Sequence, residues 1–305
     1  MLVWLIVNPK AGAGRAAKVA TAGIPLFRDA GIEPVVHVCA NGAEPARVAA
    51  EAVGAGADVV VAVGGDGLVA GVAEGLLGKG RPDGTALAVI ATGSANDYAR
   101  ALGVRTLPLN RQVELVLDPA ARAPVDVVRV TTDGPTRHIL NVGGTGFDAV
   151  VAERAMRITS LRGAPRYVAA MLAELPRFSA ARFELTLDGE RRETSAMMVA
   201  VANGTTYGGG MRVAPQAHLQ NGWLEVCVIS RLSRLDFLRA FPSVFRGTHI
   251  THPAVTMLRA REVSVAADRR FAILGDGELL GDLPATFAVV PAALKVVVAP
   301  GASLA

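Results

Sequence analysis

The segment Val59-Val60-Val61-Ala62-Val63-Gly64-Gly65-Asp66-Gly67 runs from an uninterrupted apolar stretch straight into a glycine-rich corner. Asp58 to Val63 lacks the polar alternation of a half-exposed strand, so it predicts a strand buried on both faces, as in a parallel sheet. Leu68 to Leu77 predicts the helix that follows. Upstream, Leu2 to Val7 is another continuous apolar strand, succeeded by a Gly/Pro loop from Asn8 to Gly14 and a helix from Arg15 to Asp29. Pro34 to Val38 reads as a strand, and Glu44 to Val53 as a helix with apolar positions at helical spacing. Downstream, Thr85 to Ile90 is a fourth strand, ending in Thr92-Gly93-Ser94-Ala95-Asn96-Asp97. This alternation predicts a parallel sheet with helices on both faces.

After Pro124 the period changes to two. Val125–Thr131, Arg137–Asn141, Arg182–Leu187, Ser195–Asn203 and Leu224–Ile229 alternate as half-buried strands, with later candidates at Ala254–Leu258, Glu262–Ala266 and Thr286–Val290. Asp133-Gly134, Asp188-Gly189 and Asn221-Gly222 are turn signals between them. Helical insertions are expected near Asp148–Thr159, Pro165–Leu175 and Leu235–Phe245. The second region is therefore mostly antiparallel β. Leu294 to Val298 is a last strand-like run.

With 305 residues, 51% of them hydrophobic and 19% charged, the chain suits two ordinary domains and not a disordered segment. The net charge of +4 tolerates anionic partners without demanding them. No Lys/Arg run of the kind that tracks nucleic acid is present, and aromatics are only 5%. Cys39 and Cys227 lie far apart, with no Cys-x-x-Cys and no Cys/His cluster, so neither a disulfide framework nor a zinc site is expected, and a reducing cytoplasm suits the chain. No apolar stretch reaches the ~18 residues that span a bilayer, so any membrane contact is expected to be peripheral.

In a parallel sheet, ligands bind beyond the carboxyl ends of the strands. Glycines there let the backbone approach phosphate oxygens, and the helix that follows adds its positive dipole end. Gly64, Gly65 and Gly67 occupy such a place, and Asp66 could order a Mg²⁺ ion or a nucleotide hydroxyl. The corner matches neither Gly-x-Gly-x-x-Gly nor a Walker loop. Taken alone it is equally an ordinary glycine-rich turn. Asn8-Pro9-Lys10-Ala11-Gly12 falls at the same edge, with Lys10, one of four lysines, as a candidate phosphate contact. Ser94 and Asn96 lie in the third such loop, where Asn96 is also a candidate helix cap.

Together these motifs resemble the bacterial lipid kinases with a diacylglycerol kinase catalytic domain, relatives of sphingosine kinases and, more distantly, NAD kinases. The resemblance runs nearly end to end. It includes Asn8-Pro9 with Gly12, Gly64-Gly65-Asp66-Gly67, Gly93 to Arg100, Asp126, Asn141 with Gly146-Phe147-Asp148, Asn203 with Gly208-Gly209-Gly210 and Pro215, Asp276-Gly277-Glu278, and Pro284-Ala285-Thr286-Phe287. It implies a nucleotide-binding α/β domain over residues 1–122, rejoined by 293–305, and a β-rich lipid or substrate domain over 123–292, with a cleft between them. It implies ATP on the loops at Asn8–Gly12, Gly65–Gly71 and Ser94, with Leu68 inside the second, and Glu278 as the catalytic base. From the residues alone, Asp276-Gly277 is also a hairpin turn.

Three departures from the family pattern stand out. Leu68, Ala70 and Gly71 take the places of a Thr, an Asn and a Glu, and Ser94 replaces a Thr. Asn221-Gly222 replaces an Asp-Gly that helps hold a structural Mg²⁺, whose other ligands would match His218 and Trp223. An Asn lacks the charge that favours a hard cation. Two basic amphipathic segments, Arg157 to Arg177 and Arg231 to Arg246, suit either an anionic membrane surface or packing on the sheet. The resemblance implies a lipid substrate, with the protein cytoplasmic or peripheral at the inner membrane face and its state open between monomer and homodimer. A kinase of a soluble alcohol such as NAD, and a homologue weakened in catalysis, are the alternatives.

Overall fold

The computed structural model describes residues 1–78, 84–161 and 164–304. Arg162 and Gly163, inside the basic segment Arg157 to Arg177, lie outside the described residues. The chain divides into a first unit, Met1–Val127 with Pro291–Ala305, and a second, Val128–Val290.

The first unit is built on β1 (Val3–Val7), α1 (Arg15–Asp29), β2 (Val35–Val38), α2 (Glu44–Gly54), β3 (Val59–Gly64), α3 (Asp66–Leu77), β4 (Ala86–Ala91), α4 (Asp97–Ala101) and α5 (Leu109–Leu117). Every residue of β3 is buried, as its unbroken apolar run requires. It lies between β1 and β4, and β2 pairs with β1, all in parallel. The amphipathic α5 was not expected from the sequence.

The glycine-rich corner is tighter than a loop. Gly64 ends β3, Gly65 is the extended N-cap, and α3 begins at Asp66. Leu68 and Gly71 also depart from the expectation that they border phosphates. Leu68 is 5% exposed, and a Cβ on Gly64 would meet its Cδ2 at 2.5 Å, so its side chain belongs to the core. Gly71 faces Pro45 of α2, where a Cβ would lie at 3.0 Å. One helical turn later, a Cβ on Gly75 would lie 2.1 Å from the Ala46 carbonyl oxygen. The small face of α3 therefore sets its close approach to α2.

The second unit begins within β5 (Arg122–Thr131) and continues through β6 (Arg137–Ile139), β7 (Val142–Gly146), α6 (Phe147–Arg157), α7 (Ala164–Glu174), β8 (Ala181–Leu187), β9 (Glu190–Ala202), β10 (Leu224–Ser230), α8 (Arg234–Ala240), β11 (Val255–Ala260), β12 (Glu262–Ala267), β13 (Ala272–Gly275) and β14 (Glu278–Asp282). β15 (Ala285–Val297) starts in this unit. The strand pairing is antiparallel, in the order β14-β13-β7-β9-β8-β12-β15. The first half of β9 pairs with β8, and its second half lies between β7 and β10. Ala181, Phe183, Leu185 and Leu187 alternate inward from β8, and Phe183 stacks on Phe271 at 5.6 Å. The glycine-rich β7 carries too few apolar residues to announce itself as a strand, and β13 and β14 are too short to show a period.

β15 joins what the alternation presents as two strands, Thr286–Val290 and Leu294–Val298. Its far end belongs to the first unit, where Lys295 and Val296 pair in parallel with Ala86 and Leu87 of β4. There the Asp126 carboxylate accepts the Ala292 amide hydrogen at 2.8 Å, at a residue with φ of 49°. The segment expected as one helix over Leu235–Phe245 is α8 followed by a 3-10 turn, Phe241–Arg246, with Pro242 in its first turn.

Gly75→Ala tests the α2–α3 contact. At an exposed helical site the change would stabilise by about 1 kcal/mol through propensity. Here the added methyl should cost about 1–3 kcal/mol by forcing the helices apart, read as a lower urea midpoint.

Candidate functional site

At the carboxyl edge of the first unit's sheet, three segments are tied to one another. After β1, the Asn8 side-chain oxygen accepts the Lys10 amide at 3.1 Å, and the Asn8 carbonyl accepts the Ala11 amide at 3.0 Å. Pro9 lies in this turn, and Gly12 follows at φ 60°. Arg15 then donates to the Gly12 carbonyl at 3.1 Å and to the Thr92 carbonyl at 3.3 Å, linking the first segment to the one after β4.

The second link is backbone against backbone. The Gly64 carbonyl accepts the Thr92 amide at 2.8 Å and the Gly93 amide at 3.3 Å. A Cβ on Gly93 would fall 2.7 Å from the Gly65 Cα. A Cβ on Gly65 would lie 3.3 Å from the Gly93 Cα, so position 93 requires glycine and position 65 leaves little room for a larger residue.

The third link is Asp66. Its Oδ1 accepts the Tyr98 amide at 3.2 Å, at the start of α4. Burial pushes the Asp66 carboxyl above the ordinary carboxylate range, with Asp97 adding to the effect and the amides of Tyr98, Asn96 and Asp97 opposing it. Asn96 does not cap α4 with its side chain, as the sequence had suggested. It sits at φ 52°, and its amide nitrogen donates to the Gly93 carbonyl at 2.8 Å. Lys10, Gly67 and Ser94 are exposed on these segments, while Leu68 contributes neither side chain nor amide, its N–H being bonded to the Gly65 carbonyl at 3.0 Å.

In the second unit, Asp276-Gly277 is the two-residue turn joining β13 to β14, with φ of 47° and 89°. The hairpin and the motif are therefore the same object. The Asp276 carboxylate accepts the amides of Leu140 at 2.6 Å, Asn141 at 3.0 Å and Val142 at 3.3 Å. That commits Asp276 to structure and fixes the first residue of β14, Glu278. The Glu278 carboxylate is half exposed and lies 3.7 Å from the Arg137 guanidinium.

His218, Asn221 and Trp223 form a turn closed on itself. The Asn221 amide bonds to the His218 carbonyl at 3.4 Å, and the Asn221 side-chain oxygen accepts the Trp223 amide at 2.9 Å. The guanidinium of Arg261 lies 4.6 Å from the Trp223 ring centroid and that of Arg259 5.5 Å. The Glu225 carboxylate beside them is already paired with Arg259 at 3.0 Å, so His218, Asn221 and Trp223 offer only neutral oxygens, a poor donor set for Mg²⁺.

One polar residue of the motif set, Asp148, has no role assigned from the sequence. Asp148 is partly buried, with its carboxyl turned inward near Tyr207 and Cys227, its Oδ1 accepting the Ala149 amide at 2.9 Å and its Oδ2 having no hydrogen-bond partner. Burial raises its carboxyl to about 7. Only the tertiary structure shows this burial.

Set against known proteins, residues 2–130 match the diacylglycerol kinase catalytic domain, and residues 141–298 match the YegS C-terminal NAD kinase beta sandwich-like domain. A protein named diacylglycerol kinase from Mycobacterium tuberculosis (strain ATCC 25618 / H37Rv) is 35% identical over 297 residues, 96% of this chain and 94% of that one. One of the same name from Bacillus subtilis (strain 168) is 26% identical, over 93% and 91% of the two chains. A crystal structure titled as a diacylglycerol kinase from Bacillus anthracis str. Sterne shares the fold, with a TM-score of 0.74 at 21% identity, over 99% of this chain and 98% of that one.

Because Asp148 is protonated more readily folded than unfolded, its contribution to stability is full at about pH 4 and is lost as pH rises towards 7. The urea midpoint of the wild type should fall across that window relative to Asp148→Asn, whose side chain does not ionise.

Proposed function

We infer the reaction from one premise: the chain belongs to the family of kinases with a diacylglycerol kinase catalytic domain. It is a lipid kinase, phosphorylating the hydroxyl of a lipid alcohol. In our reading the donor is ATP with Mg²⁺ and the acceptor is diacylglycerol or a close relative. Residues 1–122 with 293–305 are the nucleotide-binding domain, and 123–292 the lipid-binding domain. The observation that carries this reading is the contact of Gly65 with Gly93, which brings two strand–helix corners together at one sheet edge.

The residues at that edge suit a nucleotide. The N-terminal end of α3, at Asp66 and Gly67, favours an anion through its dipole and its first-turn amides. Lys10 and Ser94 would hold phosphate oxygens with an ammonium and a hydroxyl. The backbone of Asn8, Pro9, Ala11, Gly12, Gly64, Gly65 and Asn96 would frame them. Asp66 would hold the metal ion or a nucleotide hydroxyl. ATP with Mg²⁺ supplies, when bound, the phosphoryl group and a compensating charge. Glu278, presented by the Asp276 turn, would accept the proton of the acceptor hydroxyl.

Leu68 and Gly71 serve packing, so their departure from the family pattern does not by itself argue for lost catalysis. The NAD kinase-like description of the C-terminal domain is compatible with a soluble acceptor but does not favour one. Labelled γ-phosphate from ATP should appear in diacylglycerol dispersed in detergent. Label appearing instead in NAD would overturn the assignment. Glu278→Gln should keep ATP binding and lower kcat by about 10²–10⁴, and an unchanged kcat would remove Glu278 from the base role.

The lipid substrate requires contact with a membrane. Among the described residues no helix is long and apolar enough to cross one. The helices α6, α7 and α8 share an apolar cluster that includes Phe147, Met171, Phe237 and Phe241. Outside it, Leu172, Leu235, Leu238 and Phe245 are 51%, 55%, 41% and 48% exposed, on segments that also carry the exposed Arg157, Arg231, Arg239 and Arg246. Apolar tips in a basic setting suit peripheral docking on an anionic bilayer. The double variant Leu235→Glu with Leu238→Glu should partition to phosphatidylglycerol vesicles at least about tenfold more weakly in sedimentation assays.

A further inference from the structure

We propose that His37, Cys39 and Glu44 form a binding site for zinc or a similar transition-metal ion. The sequence disfavours such a site because no Cys/His cluster is visible in it. The fold supplies the cluster. His37 and Cys39 are two residues apart on an extended segment, so their side chains emerge on one face. The Cys39 amide continues the pairing of β2 with β1, bonding to the Val7 carbonyl at 2.9 Å. Glu44, the first residue of α2, reaches back to the same point.

The His37, Cys39 and Glu44 ligand atoms all lie within 4.8 Å of one another. The His37 Nε2 and Glu44 Oε2 are 3.2 Å apart. Two ligands on a tetrahedral zinc at about 2.0–2.1 Å are separated by about 3.3–3.4 Å, so this pair already has the spacing. The Cys39 sulfur, within 4.8 Å of both, has to close by at most about 1.2 Å to reach the separation that a Zn–S bond of about 2.3 Å requires.

The carboxylate is also oriented. The Ala40 amide donates to Glu44 Oε2 at 3.0 Å, and the Asn41 side-chain amide donates to Oε1 at 2.9 Å. Hydrogen bonds of this kind fix a ligand's direction at a metal centre. Cys39 is buried, whereas the side chains of His37 and Glu44 are 34% and 20% exposed, leaving an approach from solvent and a fourth position for water. One imidazole, one thiolate and one carboxylate suit zinc better than Mg²⁺ or Ca²⁺, which take oxygen ligands. On binding, the Cys39 thiol proton leaves to solvent, while neutral His37 offers Nε2 to the metal by carrying its ring proton on Nδ1.

The site stands independently of the kinase reading, and its test uses the purified full-length protein without substrate. Zn²⁺ should bind at one equivalent in competition with a chromogenic chelator. Co²⁺ in its place should give a thiolate-to-metal charge-transfer band. Cys39→Ser, His37→Ala and Glu44→Gln, each with its fold checked by circular dichroism, should weaken Zn²⁺ by at least the roughly 10–100-fold that loss of a supporting residue costs. A wild-type Co²⁺ complex without the thiolate band overturns the proposal whatever the variants do. So does a folded Cys39→Ser protein that binds Zn²⁺ as the wild type does.

Discussion

The contact between Gly65 and Gly93 is the constraint from which the first unit's carboxyl edge follows. Two strand ends, β3 and β4, deliver their chains to within a distance that excludes a side chain at position 93. The Gly64 carbonyl then takes the amides of Thr92 and Gly93, and Asp66 receives the Tyr98 amide. Each bond depends on the glycines having removed the steric barrier first. Arg15 extends the same arrangement to the segment after β1 through Gly12 and Thr92. An edge made this way carries polar backbone, a helix N-terminus and a carboxylate in one place, which is the chemistry a phosphate-bearing ligand needs.

The second unit solves a comparable problem with a carboxylate. Three successive amides, from Leu140 to Val142, point at Asp276. A carboxylate that accepts several backbone N–H groups has its desolvation offset by charge-assisted hydrogen bonds. The result is a rigid hairpin whose next residue, Glu278, stays available. Asp148 shows the contrast. One of its oxygens lacks a hydrogen-bond partner, and burial raises its carboxyl to about 7.

The parallel sheet was legible because β1, β3 and β4 are buried on both faces and so read as unbroken apolar runs. The antiparallel region was legible where strands alternate, as in β8, and illegible where they do not. β7 is Val142-Gly143-Gly144-Thr145-Gly146, a composition that propensity assigns to a loop. β15 read as two strands because Pro291 interrupts its pattern, although the backbone continues through it. The motifs located the candidate residues but not their roles: Leu68 turned inward because Gly64 leaves room for it, and Gly71 met Pro45. The convergence of His37, Cys39 and Glu44 depends on where α2 starts relative to β2, which no local pattern encodes.

A nucleotide bound at the first unit's edge would depend most directly on the Gly65–Gly93 contact. ATP affinity should be measured by calorimetry for Gly93→Ala, with Gly42→Ala as control, since a Cβ on Gly42 would meet nothing within 4 Å. The account predicts that Gly42→Ala binds ATP as the wild type does, and that folded Gly93→Ala binds at least about tenfold more weakly, a loss of roughly 1.4 kcal/mol. A folded Gly93→Ala protein with wild-type ATP affinity would contradict it.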